Sequence, residues 1–349
     1  MPDEDRRDLS QTRDSPVKGQ QNEESQSSPM THNKYPEQSV PPAPNSLANR
    51  KRTVVLFGEV LADIFPDRSV LGGAPFNVAR HLKAFGQNPV LITRLGHDAL
   101  RDKVMQAMSQ YEMETLGVQC NNHHPTGQVR VHLTDGGHHF EILPMQAYDF
   151  IHPAMVRMTA LSLRPALVYY GTLAQRHEVS RRALKSLLRS TGAPTFLDIN
   201  LRAPWYDKKT LRQSLQYADI VKLNDDELEV IAEMFELSES KPENRVKKLM
   251  TQFDLQRAVI TCGDEGAWQI DRDGRKTEAV VRSPIARLVD TVGAGDGFAS
   301  VWILGALLGW PAAKTLERAN AFAAAICGIR GALPDHADFY QPYNREWGV

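Results

Sequence analysis

Cysteine is scarce in this 349-residue chain: only Cys120, Cys262 and Cys327 occur. Their spacing fits neither a disulfide framework nor a metal knuckle, and so few thiols suit a reducing compartment. Long apolar runs are missing as well. No stretch approaches the roughly 18 to 20 residues that span a bilayer. The opening "MPDEDRRDLS" lacks the apolar core of a signal peptide, which makes Arg6-Arg7 a poor twin-arginine signal. The expected location is cytoplasmic, with the interior of a soluble organelle as the other option. Neither sign of charge is in excess, with 41 Lys plus Arg against 42 Asp plus Glu. That balance offers no electrostatic handle for nucleic acid or an anionic membrane, and it points to a small-molecule partner.

Core-forming residues are rare in residues 1–50, which hold seven of the 21 prolines together with many Ser, Gln and Asn. Burial there does not offset chain entropy, so a disordered tail is expected to end near "PPAPNSLANR", with one domain over 51–349. A regulatory or partner-binding arm and a passive extension are both open for it. From Thr53 the pattern changes. "TVVLFGE", "PVLITRLG", "ALVYYGTL", "PTFLDIN", "DIVKLN" and "RAVITCG" read as short buried strands. "APFNVARHLKAFG", "HDALRDKVMQAMSQY", "VSRRALKSLLRS", "DDELEVIAEMF" and "PENRVKKLMTQF" between them carry apolar residues at helical spacing. The alternation predicts an α/β fold, a doubly wound and mostly parallel sheet with helices on both faces. "TGQVRVHLTDGGHHFEIL" (126–143) breaks it and reads as a hairpin turning at Asp135-Gly136-Gly137. The hairpin is a candidate lid, pairing near "LADIF", with lid segments near 60–72 and 115–150. Its exposed edge could also pair with a second subunit as a homodimer.

The densest chemistry lies in "DTVGAGDGFAS" (290–300). Gly293, Ala294 and Gly295 precede a nearly all-apolar helix, so their backbone N–H groups form an anion site at its N-terminus. A P-loop needs GxxxxGK[ST], which the chain lacks; a dinucleotide GxGxxG needs a third glycine three places after the second, whereas Gly297 follows Gly295 by two. Asp296 alone reads equally as a helix cap or as a base taking a proton from an attacking hydroxyl.

Two motifs in order resemble the ribokinase-like (PfkB) carbohydrate kinases, and the resemblance covers about residues 53–340. "DTVGAGDGFAS" is similar to their C-terminal signature and "GGAPFNVARHLKAFG" (72–86) to their N-terminal one. It implies that Asp296 is the catalytic base and that Gly293, Ala294 and Gly295 are the anion hole. It assigns sugar hydroxyls to Asp63, Gly72, Gly73 and Asn77. "NDDE" resembles the family's NxxE, which implies that Asn224 and Glu227 orient the water shell of a Mg²⁺ ion on ATP, helix capping being the other reading. Thr261, Gly263 and Gly266 resemble ATP contacts and Asn320 a residue at the adenine end. Asp290 and the Gly331-Ala332 turn resemble a monovalent-cation site, with K⁺ as the candidate ion.

"FLDINLRAPWY" resembles the D-x-N-x-R segment of fructokinase-like and keto-sugar-acid kinase members. Arg202 there is a candidate for a substrate or phosphate oxygen, with a surface ion pair as its alternative. The resemblance therefore implies an ATP-dependent kinase acting on fructose or a related hexose. A keto-sugar-acid or nucleoside kinase, and a non-catalytic sugar or nucleotide sensor, are the alternatives. His123-His124 and His138-His139 lack the spacing of a zinc site and are expected to be loop histidines.

Overall fold

The computed structural model describes residues 51–134, 137–280 and 288–349. The expected tail over 1–50 and the hairpin's Asp135-Gly136 lie outside the described residues. In chain order the strands are β1 (Thr53–Phe57), β2 (Leu61–Ile64), β3 (Ser69–Gly72), β4 (Asn88–Gly96), β5 (Val118–Asn121), β6 (Gly127–Thr134) and β7 (Gly137–Ile142). They continue as β8 (Leu167–Gly171), β9 (Thr195–Asp198), β10 (Ile220–Asn224), β11 (Arg257–Thr261), β12 (Ala267–Asp271) and β13 (Lys276–Ala279). The six strands expected from apolar runs are β1, β4, β8, β9, β10 and β11.

Nine strands form one sheet in the order β13-β12-β11-β10-β9-β8-β1-β4-β5. Pairing is parallel from β11 to β5, while β12 and β13 add on antiparallel. Side-chain alternation divides the core into two layers. Val55 and Phe57 of β1 enter one cluster, with helices Glu178–Thr191, Lys208–Gln216, Asp225–Phe235 and Pro242–Phe253. Val54 and Leu56 enter the other, with helices Ala74–Ala84, Ala294–Leu308 and Ala312–Ile326. Both faces are covered, so the parallel strands are apolar almost throughout. Each large aliphatic side chain buried there contributes about 1.5–3 kcal/mol.

A smaller, four-stranded sheet has the order β3-β2-β6-β7. The hairpin β6–β7 is antiparallel, and β2 joins β6 in parallel from Leu61 opposite Gly127. Glycine is required at 127, because a Cβ there would lie 2.5 Å from the Val60 carbonyl oxygen. The stretch 115–150 is shared between the sheets. Val118–Asn121 is the edge strand β5 of the large sheet, and only Gly127–Thr134 and Gly137–Ile142 belong to the smaller one.

The carboxyl ends of β1, β8, β9, β10 and β11 all open on one side. Ligands of open α/β sheets bind at such ends. They deliver Glu59, Arg176, Asp198, Asn224 and Thr261 to one region.

Candidate active site

The turn into helix Ala294–Leu308 places its N-cap at Gly293, in the left-handed region with φ 80°. Glycine is needed there twice over. A side chain would be strained at that φ, and a Cβ would lie 2.3 Å from the Cβ of Ala332. The Ala294 N–H, expected in the anion hole, instead donates to the Thr291 carbonyl at 3.3 Å across the turn, whereas Gly293, Gly295 and Asp296 have no acceptor inside the helix and point donors outward beside the positive end of the helix dipole. Gly295 is exposed, while Asp296 beside it is only 9% exposed.

Asp296 is not the cap of its helix. Gly293 holds that position, and the Asp296 carboxylate instead accepts a 2.8 Å hydrogen bond from Asn77 Nδ2, on helix Ala74–Ala84. Burial pushes its pKa up to about 6; the Asn77 bond opposes the rise, Asp198 adds to it, and Lys222 and Arg202 oppose it. A carboxylate so poised is ionised near neutral pH yet basic enough to take a proton.

Beneath the turn lies a buried ion pair that motif reading had missed. Lys222 of β10 donates to both oxygens of Asp198 on β9, at 3.0 and 3.2 Å, with side chains 7% and 1% exposed. Its position follows from the strand period. Val221 and Leu223 face one layer, so Lys222 faces the other, where a Cβ on Gly295 would lie 3.6 Å from its Nζ. Burial disfavours the ammonium, but Asp198, Glu227 and Asp296 hold its pKa above the ordinary lysine value. Tyr169 Oη donates to Asp198 at 3.3 Å. A lysine inside the apolar run "DIVKLN" was the available signal.

The expected sugar residues gather at the same edge. Gly73 has φ 107°, and a Cβ on it would lie 2.7 Å from the Glu59 carbonyl oxygen, so helix Ala74–Ala84 starts directly against the loop after β1. Gly72 ends β3 opposite Leu61. Asp63, on β2, has its pKa raised to about 6 by burial; Arg202 opposes the rise and Asp290 adds to it. Arg202 is exposed, donates to the Leu201 carbonyl at 3.0 Å, and forms no ion pair among the described residues. Its charge nevertheless acts on Glu59, Asp63 and Asp296 together.

On the far side of the turn, Asn224 and Glu227 form a capping box. Asn224 Oδ1 accepts from the Glu227 N–H at 2.7 Å, and Glu227 Oε2 accepts from the Asn224 N–H at 2.9 Å. Glu227 Oε1 also accepts from the Leu201 N–H at 2.7 Å, linking this helix to the D-x-N-x-R loop. Thr261 is paired with Asn224 across β10–β11. The turn beyond it is shaped by Gly263 (φ 54°) and Gly266 (φ 105°). Asn320 is buried, and its amide donates to the Ala279 carbonyl at 2.8 Å, tying helix Ala312–Ile326 to the end of β13. Asp290 accepts from the N–H groups of Val292 and Gly331, both at 3.0 Å, which brings the expected cation residues together. His123 is exposed, and His124 stacks on Phe150 with ring centroids 3.8 Å apart. The side chains of His138 and His139 lie outside the described residues.

The sequence pattern of the pfkB family carbohydrate kinases matches residues 52–337. The chain belongs to this family. Among curated relatives of this pfkB kinase, a sugar kinase of Pyrococcus horikoshii is 26% identical over 273 residues, 75% of this chain and 82% of the relative. The ATP-dependent 6-phosphofructokinase of Thermoanaerobacterium thermosaccharolyticum is 22% identical over 319 residues, 83% of this chain and 92% of that one. The crystal structure of fructokinase from Xylella fastidiosa with bound ATP shares the fold at TM-score 0.70 and 20% identity, covering 86% of this chain and 100% of that one. This pfkB chain is therefore a sugar kinase with the ribokinase-like fold.

Proposed function

We propose that this sugar kinase transfers the γ-phosphoryl group of ATP to a hydroxyl of fructose or a related hexose. The observation that carries the reading is Asp296, buried, held by Asn77 and set beside the open N–H groups of Gly293 and Gly295. In this reading Asn77 and Asp63 hold adjacent sugar hydroxyls, with the backbone of Gly72 and Gly73 against the ring. Asp296 takes the proton from the reacting hydroxyl as its oxygen attacks phosphorus. Charge growing on the transferred oxygens meets the helix N-terminus and the Lys222 ammonium, groups already fixed before the reaction. The smaller sheet acts as the lid that keeps water from competing.

Glu227 accepts one backbone N–H on each oxygen, so a lone pair remains on both, and Thr261 adjoins Asn224. That arrangement suits a hydrated ion: Asn224 and Glu227 would hold the water shell of Mg²⁺, which when bound offsets charge on the nucleotide phosphates. Asp290 and Gly331 would hold K⁺. Thr261, Gly263 and Gly266 would line the ATP side, with Asn320 supporting the adenine end through the β13 tie. A homodimer through the smaller sheet belongs to the same reading, because β3 and β7 each have one neighbour strand among the described residues. Arg202, with no ion pair among the described residues and its charge acting on Asp63, favours a keto-sugar acid as the second substrate class.

A coupled ADP-release assay over fructose, other hexoses, keto-sugar acids and nucleosides tests this. Turnover is expected with a hexose. Binding without turnover on every compound would make the protein a sensor and sink the reading.

A further inference from the structure

Four buried side chains, of which Asn77 bonds Asp296 and Glu59 lies in its field, each carry a polar atom without a hydrogen-bond partner among the described residues: Glu59 Oε2, Asn77 Oδ1, Tyr148 Oη and Arg176 Nη1. Glu59 and Asn77 are 4% exposed, Tyr148 is fully buried, and the Arg176 side chain is 5% exposed. Buried polar atoms left unpaired are costly, and a group of them in one place marks a ligand position.

They come together from distant parts of the chain. Glu59 follows β1 and Arg176 follows β8. Tyr148 lies in the turn after the hairpin, its ring edge 2.9 Å from a Cβ placed on Gly127, which also crowds the Val60 carbonyl next to Glu59. The Arg176 guanidinium lies 5.0 Å from the centre of the Tyr148 ring and 4.4 Å from that of Trp205, in the D-x-N-x-R loop. Glu59 sits within the fields of Arg202, Asp296 and Arg176, and burial lifts its pKa to about 7.

We infer that Glu59, Tyr148 and Arg176 form a further subsite of the sugar pocket, which reads the hydroxyls remote from the reacting one and admits an uncharged polyol end rather than a phosphate or carboxylate. The inference rests on the kinase reading above. Its chemistry comes from the inventory of free atoms. Nη1 is a donor, Asn77 Oδ1 and the Glu59 carboxylate are acceptors, and the Tyr148 hydroxyl serves as either, a mixture that suits hydroxyls and not an anion, which only accepts. Charge agrees. Both Asp149 oxygens accept from Arg176, at 2.7 and 2.8 Å, so the guanidinium is neutralised where it stands, and Glu59 brings negative charge to the same wall. Asp149 is a positioning residue here. It fixes the arginine fork, and the Leu143 carbonyl accepts a third bond at 2.7 Å.

Steady-state kinetics of the full chain test the subsite, with the best neutral hexose of the panel and fructose 6-phosphate compared in the wild type, Glu59→Gln and Tyr148→Phe. Tyr148→Phe removes one hydroxyl and keeps the buried ring, so it guards against a folding defect in the glutamate variant. Each variant is expected to raise the KM for the hexose about ten-fold, with the KM for ATP and kcat within about two-fold. The phosphorylated hexose should be at least ~100-fold poorer in kcat/KM for the wild type, and Glu59→Gln should narrow that gap. An unchanged hexose KM in both variants overturns the subsite and leaves the kinase reading standing, as does equal use of fructose 6-phosphate. Failure of the wild type on every sugar overturns both.

Discussion

The two ends of the pocket are built from different materials. At the phosphoryl end, the proposed anion hole is backbone, made by Gly293 and Gly295 at a helix start, with Asp296 one place further along. At the proposed sugar end, Asp63, Asn77, Glu59, Tyr148, Arg176 and Arg202 are side chains brought in from five separate segments. A backbone site needs a conformation, so it tolerates almost no change at the residue that permits it. A side-chain site needs matching partners, and its members can be altered one at a time to change what binds. The first kind suits chemistry common to a family, and the second suits substrate choice.

The sharpest way to break this contrast is Gly293→Ala. Left-handed φ and collision with Ala332 together cost about 3 kcal/mol or more. Turnover should fall to background even though no polar side chain has been removed, as read by ADP release and thermal melting together. Retention of wild-type kcat would mean that the turn is not a rigid backbone site. Lys222→Met probes the boundary between the two ends. It leaves Asp198 buried without its partner, at a cost of about 3–5 kcal/mol in chemical denaturation. It also removes a positive charge beside Asp296. The wild-type profile should lose activity below about pH 6, where Asp296 becomes protonated. In the variant that acid limb should move to higher pH, because the ionised carboxylate has lost a favourable neighbour. A limb at unchanged pH would detach Lys222 from the chemistry.

The same contrast explains what could be read from the sequence. "DTVGAGDGFAS" and "GGAPFNVARHLKAFG" were legible because local conformational demands leave local marks: glycine at 293 and 73, and an apolar helix directly after. The parallel strands were legible for a similar reason, since burial on both faces makes each one a short apolar run. Lys222 was hidden because its role depends on which layer of the sheet its strand register selects. Glu59, Tyr148 and Arg176 were hidden because their meeting depends on how the smaller sheet lies against the ends of β1 and β8. Glu227 was seen, but its bonds to Asn224 and Leu201 show a capping role that the NxxE pattern alone leaves open beside ion binding. β12 and β13 carry mixed polar residues at the sheet edge, so they give no apolar run to find.

The central claim is that Asp296 acts as a base beside a backbone anion site, and Asp296→Asn tests it most directly when sugar-dependent ADP release and ATP affinity are measured on the same preparation. The account predicts a loss of roughly 10³-fold in kcat with ATP affinity held within about three-fold, because the substitution removes a proton acceptor and leaves the binding surface in place. Turnover within a few-fold of wild type would contradict it.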